Sequence, residues 1–257
     1  MLYLIANSAV RHGWKWVIYS SENRTASVKM SLMQFAMDKK AQDMNYHERK
    51  QSYKWVQDHF IIINNNQVYS YSDIILFMEK IMRQQPVDGI FVDPYNSLRL
   101  DMKNSGIGVH DYHYEAASEF LTFSTTHNVA VWLNMHAVTE AQRRKGDDGL
   151  PVAPFAEDTE GGGKFVNRCD CFLTIHRKVQ APDHSIKKLS ELHVRKVRET
   201  ETGGQPTPID DPYKIVMNLS HTGFINWLTR EPLFKPISFE QPTTMAFNGF
   251  VQSAFNS

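Results

Sequence analysis

The chain has 257 residues, with 28 basic and 28 acidic side chains balancing to a formal charge of zero. Its 42 % hydrophobic and 22 % charged composition is that of an ordinary globular protein large enough for one substantial core. Global charge decides nothing about nucleic acid, so any such contact has to come from a local basic patch. The two cysteines, Cys169 and Cys171, suit a reducing compartment and are too few for a zinc site. No apolar run reaches membrane-spanning length and no signal-peptide pattern opens the chain, so the expected location is cytoplasmic.

In chain order, Met1 to Arg11 (MLYLIANSAVR) places Leu2, Leu4 or Ile5, Ala9 and Val10 on a helical face, with no convincing N-cap, and Gly13 ends it. Trp16-Val17-Ile18-Tyr19 reads as a buried strand followed by Ser20-Ser21-Glu22-Asn23. Thr25 is the expected N-cap of a helix carrying Val28, Leu32, Phe35 and Ala36. A polar helix around 47–58 leads to a second strand, Phe60 to Ile63, and an Asn64-Asn65-Asn66 turn. Ser72 is the expected cap of a helix with Ile74, Ile75, Phe77, Met78 and Ile81 as its core stripe. Gly89-Ile90-Phe91-Val92-Asp93-Pro94 is a short apolar strand that ends in an acid.

Residues 99–112 read as a mobile loop, Tyr114 to His127 as a helix and Val129 to His136 as a fourth strand. The polar, Gly-rich stretch 139–163 is too long for an ordinary connection. Strands are expected at 171–176, 191–196 and 214–218, with a hairpin around Thr222 to Trp227. From Glu231 on, Pro232, Pro236 and Pro242 mark a tail. Strand–helix alternation followed by a strand-rich end predicts an α/β fold with a mixed, mainly parallel sheet covered by helices.

A buried strand that delivers a carboxylate at its C-terminal end can hold the water shell of a Mg²⁺, although many α/β proteins end a strand in Asp for structural reasons alone. No G-x-x-x-x-G-K-[ST] phosphate loop occurs in the chain. Four further stretches stand in a telling order. They are Tyr19-Ser20-Ser21-Glu22, Leu133-Asn134-Met135-His136, the run Gly161-Gly162-Gly163 leading to Asn167 and Cys169-Asp170, and Val194-Arg195-Lys196-Val197-Arg198 before Thr202-Gly203-Gly204.

In this order the stretches resemble the RecA-like motor domain of DnaB-type replicative helicases, in the branch of the phage primase–helicases and Twinkle, over residues 1–227. The resemblance implies a RecA-like P-loop NTPase core: a mainly parallel twisted sheet with helices on both faces and antiparallel strands toward the C-terminal end. It implies that Glu22 polarises the attacking water, that Asp93 acts on Mg²⁺ through water, and that His136 senses the γ-phosphate. Asn167 takes the place of the family's usual Gln near the nucleotide. Lys196 and Arg198 act in trans on a neighbouring subunit's γ-phosphate, where a planar guanidinium neutralises transition-state charge. Strand periodicity puts Lys196 and Arg198 on one face and Arg195 on the other. Read without the family, Glu22 is an acid at a helix start, His136 a satisfied strand-end histidine, and the Lys196–Arg198 stretch a solvated edge.

The implied cofactors are ATP and Mg²⁺. The implied partners are single-stranded DNA, further copies in a ring (a hexamer) and a primase domain or protein. DNA contact falls to the loops carrying Arg99 and Lys103 and Arg143, Arg144 and Lys145, the latter offset by Asp147 and Asp148. On this resemblance the first strand and phosphate loop lie upstream of Met1. The expectation is an N-terminally truncated motor domain over 1–230 and a tail over 231–257, with an apolar slot in the sheet and poor ATP binding. Such a protein, phage-encoded or not, acts in the cytoplasm. A degenerate, non-hydrolysing module that binds protein or DNA is the alternative, and a recombinase or clock-type ATPase of the same superfamily is a third reading.

Overall fold

The computed structural model describes residues 1–101 and 108–237. In chain order the first part comprises α1 (Leu2–His12), β1 (Trp16–Ser20), α2 (Thr25–Met37), α3 (Tyr46–His59), β2 (Phe60–Ile62), α4 (Tyr71–Met82), β3 (Gly89–Asp93), α5 (Val109–His127) and β4 (Ala130–Leu133). It continues with α6 (Thr139–Arg143), α7 (Gly163–Arg168), β5 (Cys171–His176), α8 (His184–Lys188), β6 (Leu189–Val197), α9 (Thr200–Gly203), β7 (Tyr213–Met217) and β8 (Phe224–Asn226).

Helix α1 ends where Gly13 enters the left-handed region at φ 68°, as its position after the apolar stripe predicts. The cap of α2 is Arg24, and Thr25 lies inside the helix, so the expected Thr25 cap is corrected. Ser70, not Ser72, caps α4. The Ser70 side chain accepts from the Asp73 N–H at 3.2 Å, and the Asp73 carboxylate accepts from the Ser70 N–H at 2.9 Å. The reciprocal pair needs its acid three residues after the cap, a spacing that Ser72 lacks. Asn45 and Glu48 make the same box at the start of α3.

The strands β2-β1-β3-β4 form one parallel sheet, in that order. Alternation on β1 divides the core. Val17 and Tyr19 pack with Ile74 and Met78 of α4, Ala116 and Phe120 of α5 and Phe165 of α7. Trp16 and Ile18 pack on the other face with Ile5 of α1, Leu32 of α2 and Val56 of α3. Gly89 pairs with Trp16 across the sheet, and a Cβ at position 89 would fall 2.5 Å from the indole ring. Glycine is therefore required there by close approach.

The antiparallel strands expected toward the C-terminal end form a separate sheet, β5-β6-β7-β8. The single mixed sheet is thus corrected to two, because β4 and β5 do not pair. A cleft of about 510 Å³ lies between them, lined by Trp132 and Leu133 on one side and Phe172 and Leu173 on the other.

The loop read over 99–112 is shorter than expected, since α5 already starts at Val109 and Tyr112 is buried with its hydroxyl donating to the Arg99 carbonyl at 2.9 Å. Lys103 lies outside the described residues. The 139–163 stretch holds α6, a 3₁₀ turn over Ala156–Asp158 and bridges from Ala137 to Thr159 and from Lys145 to Pro151. Of the expected tail, residues up to Ile237 are described. Phe234 is buried with its ring 4.4 Å from that of Tyr3, and the Ile237 N–H donates to the Ala36 carbonyl at 2.8 Å.

Candidate functional site

Because β1, β3 and β4 are parallel neighbours, their C-terminal ends open on one side of the sheet, with Ser20 opposite Asp93 and Val92 opposite Leu133. In open parallel sheets this edge is where ligands bind. Three sequence-distant segments deliver polar side chains there: Ser20 to Asn23 after β1, Asp93 to Ser97 after β3, and Asn134 to His136 after β4.

Asp93 sits among donors. Its Oδ1 accepts from Asn134 Nδ2 at 2.5 Å, and its Oδ2 from Asn23 Nδ2 at 3.3 Å and Ser20 Oγ at 3.4 Å. Neutral donors hold the carboxylate in place without cancelling its charge. Among the described residues no three His, Cys, Asp or Glu side chains converge, so a cation here would have Asp93 as its protein carboxylate. One carboxylate plus water and phosphate oxygens is the set Mg²⁺ accepts, and the Asp93 environment fits it.

Glu22 and His136 meet beside Asp93's strand end. His136 Nε2 is 3.2 Å from Glu22 Oε1, and both side chains are more than half exposed. Solvent access suits a carboxylate that handles a water. The backbone of His136 is fixed by Asn96, whose Oδ1 accepts its N–H at 2.8 Å. Asn96 Nδ2 in turn donates to Glu160 Oε2 at 2.6 Å, which ties this end of the sheet to the glycine turn before α7.

Behind them is a buried pair. The Tyr95 hydroxyl lies 2.8 Å from His113 Nδ1, and His113 Nε2 is 3.9 Å from Glu160 Oε1 without a hydrogen-bond partner. Burial pushes the Tyr95 hydroxyl far above its usual range and lowers the His113 imidazole, with Glu160 drawing His113 partly back.

The structure thus brings together Glu22, Asp93 and His136. The other residues singled out in the sequence lie elsewhere. Lys196 Nζ donates to the Cys169 carbonyl at 2.8 Å, and Arg198 pairs with Asp170 at 2.7 Å and donates to the Arg168 carbonyl at 2.9 Å. Both work against the C-terminal end of α7, whereas Arg195 reaches the Pro154 carbonyl at 3.2 Å. Between Phe172 and Leu173 the β5–β6 register shifts, and Arg195 is the extra residue that the shift leaves out of the pairing. Asn167 is exposed on α7.

Among the basic loop residues, Arg99 pairs with Asp73 at 3.2 Å, Arg143 with Glu140 at 3.4 Å and Arg144 with Asp158. Lys145 is exposed beside its bridge to Pro151. Arg144 and Arg195 also lie over one shared ring, Phe155, at 5.2 and 5.1 Å. Sequence reasoning missed Ser20, Asn23, Asn96, Asn134, His113 and Glu160. Of these, Ser20 and Asn23 stand in the same strand-end run as Glu22, and Asn134 in that of His136.

No family model matches the chain. Among solved structures, an ATPase domain superposes with a TM-score of 0.66 at 13 % identity, covering 88 % of this chain and 81 % of that one. A DnaB-like replicative helicase, solved in a study of its interactions with primase, gives 0.67 at 13 % identity, over 88 % of this chain and 54 % of the other. The fold is that of a DnaB-like helicase ATPase domain. A KaiC-like protein from Pyrococcus horikoshii OT3 is less similar, with a TM-score of 0.52 at 11 % identity over 87 % of this chain and 80 % of that one.

In sequence, the Twinkle homolog protein of Arabidopsis thaliana, chloroplastic/mitochondrial, is 25 % identical over 202 residues. That match takes in 74 % of this chain, which spans only 27 % of the relative's length. Seen on the DnaB-like fold, Glu22, Asp93 and His136 occupy the ends of three adjacent parallel strands. No helix among the described residues is long and apolar enough to cross a membrane.

Proposed function

We propose that the chain is part of an ATP-driven motor that moves along single-stranded DNA in replication, as a subunit of a ring. The reading rests on one observation above all: Glu22, Asp93 and His136 stand together at the C-terminal end of one parallel sheet, with Glu22 and His136 in contact at 3.2 Å. Similarity to DnaB-like helicase domains and to a Twinkle homolog supports a helicase-related role.

In this reading Glu22 is the general base that orients and deprotonates the attacking water. Asp93, held by Asn134, Asn23 and Ser20, keeps Mg²⁺ through water. The cation, when bound with ATP, neutralises charge on the phosphate oxygens. His136 holds Glu22 in position and exchanges that contact for one with the terminal phosphate. Lys196 and Arg198 act on the nucleotide of a neighbouring copy, and Asn167 contacts it from α7. Asn96 and Glu160 pass the state of His136 to the loop before α7. The DNA is held by Arg99, Lys103, Arg143, Arg144 and Lys145 lining a ring, a hexamer on the family's pattern, with a primase as partner and the cytoplasm as the place of action.

DNA-stimulated ATP hydrolysis by the assembled protein tests this, with Glu22→Gln as the variant. Hydrolysis should fall by about 10²- to 10⁴-fold while nucleotide binding persists. A second reading, a non-hydrolysing RecA-like module, draws on a specific feature: residues 1–257 contain no G-x-x-x-x-G-K-[ST] run. DNA or protein binding by the assembled protein without any hydrolysis would select it.

A further inference from the structure

The Asn64-Asn65-Asn66 run follows β2, the neighbour of β1 on the side away from β3. Its outer members make a turn, since Asn64 Oδ1 accepts the Asn66 N–H at 3.0 Å. Asn65 reaches the candidate site instead. Pairing of β1 with β2 runs from Trp16 and Phe60 to Ile18 and Ile62, and the Ile63 N–H then donates to the Ile18 carbonyl at 2.9 Å. A parallel ladder advances two residues at a time, so its next step would carry the Asn65 N–H to the Ser20 carbonyl. The Asn65 side chain takes that acceptor, with Nδ2 at 2.9 Å from the Ser20 carbonyl and 3.2 Å from that of Asn23.

A backbone N–H has one hydrogen to donate, and a side-chain amide has two. One amide therefore holds both carbonyls, and these bracket Ser21 and Glu22. The far side of the same segment is fastened to β3 and its exit. The Ser21 N–H donates to the Asp93 carbonyl at 3.0 Å, and Ser21 Oγ donates to Ser97 Oγ. The Glu22 carboxylate is more than half exposed, so its direction follows from the backbone that carries it.

We propose that Asn65 is a positioning residue: its amide sets the backbone of residues 20–23 so that the Glu22 carboxylate reaches His136 and the attacking water. The role toward water rests on the motor reading, whereas the clamp on the segment does not. Asp93 keeps Asn134 at 2.5 Å when Asn23 loosens, so the effect falls on Glu22. The fold loses little with the amide, because Asn23 is exposed and water replaces the donor at its carbonyl.

The test uses the assembled protein with Asn65→Ala, which removes both donors, and Asn65→Asp, which keeps the shape but sets a carboxylate against two carbonyls. A misplacement of about 1 Å costs about 10²-fold in rate, so kcat for DNA-stimulated ATP hydrolysis should fall by that order. KM for ATP should stay within about twofold of the parent, since binding is not what the clamp serves. Melting temperatures should stay within about 4 °C. In a Glu22→Gln background neither substitution should lower the rate further, because Asn65 acts through Glu22. A second readout needs no nucleotide. Amide order parameters of Ser21, Glu22 and Asn23 should be about 0.85 in the parent and below about 0.6 in both variants, with those of β1 and β3 unchanged.

Unchanged order parameters in the variants overturn the proposal, as does a parent segment already below about 0.6. So does a segment that loosens while kcat holds, or a full further loss of rate on top of Glu22→Gln. A large fall in melting temperature with kcat and KM moving together overturns it in favour of a purely structural asparagine. If the segment loosens as expected but the parent hydrolyses no ATP, the motor reading fails and the clamp stands.

Discussion

His136 Nε2 and Glu22 Oε1 lie 3.2 Å apart across 114 positions of sequence. The contact exists because β1 and β4 flank β3 in one parallel sheet, so residues just past their ends converge. It joins two side chains that are each more than half exposed, which makes it a weak stabilising pair.

Glu22→Gln and His136→Ala should therefore each change unfolding free energy by no more than about 0.5 kcal/mol, read by chemical denaturation. A loss of several kcal/mol would make the pair structural and remove the case for a functional one.

Gly89→Ala should be strongly destabilising. The new Cβ would lie 2.5 Å from the Trp16 ring, which is buried and tied by its Nε1–H to Ser8 Oγ at 2.8 Å. Overpacking of this kind costs about 1–3 kcal/mol, and Trp16 to a smaller aromatic such as Phe should recover part of it. Paired thermal melts of the single and double variants check the coupling.

Stability should decline in mild acid. Burial lowers the pKa of His113, His176 and His193, with Glu160 and Glu191 only partly opposing. A lowered folded-state pKa means that the unfolded chain takes up protons first. The contribution is complete above the unfolded value of about 6.5 and is lost as pH falls through it toward the lowered folded values. Melting temperatures between about pH 8 and pH 5 should drop, and less so in His113→Phe, which removes one of the three titrating groups.

Phe234→Ala should cost about 3–5 kcal/mol, as for a buried aromatic elsewhere in a core. Its ring is buried against Tyr3, which also meets Phe224 and Phe35 edge-on. A loss below about 1 kcal/mol by urea denaturation would mean that residues 231–237 are an appendage to the core.

Legibility followed periodicity. The apolar runs of β1 and β3 are continuous because both faces of the sheet are covered, and the stripe of α4 recurs about every four residues because one helix face is buried. Capping was read less well. Ser72 and Thr25 are good cap types, but which residue caps depends on where the acid three positions on can reach back, as Asp73 does to Ser70. Asn96 left no trace, and Glu160 showed only as part of the stretch before the glycine turn, with no role of its own. One lies in the 3₁₀ turn Tyr95–Ser97 and the other in a turn before α7, and their 2.6 Å contact spans 64 positions.

The amino-acid sequence by itself determined the α/β class and the order of the elements, because these depend on local patterns along the chain, whereas Glu22, Asp93 and His136 were singled out through the resemblance of their strand-end runs to those of DnaB-type helicases. Only the tertiary structure decided that β4 and β5 are the edges left unpaired on either side of the cleft, that neutral amides hold Asp93, and that Lys196 and Arg198 are engaged at the end of α7. Those outcomes depend on which edges meet and which donors come within reach, and pairing between distant segments is a property of the packed chain that no local pattern encodes.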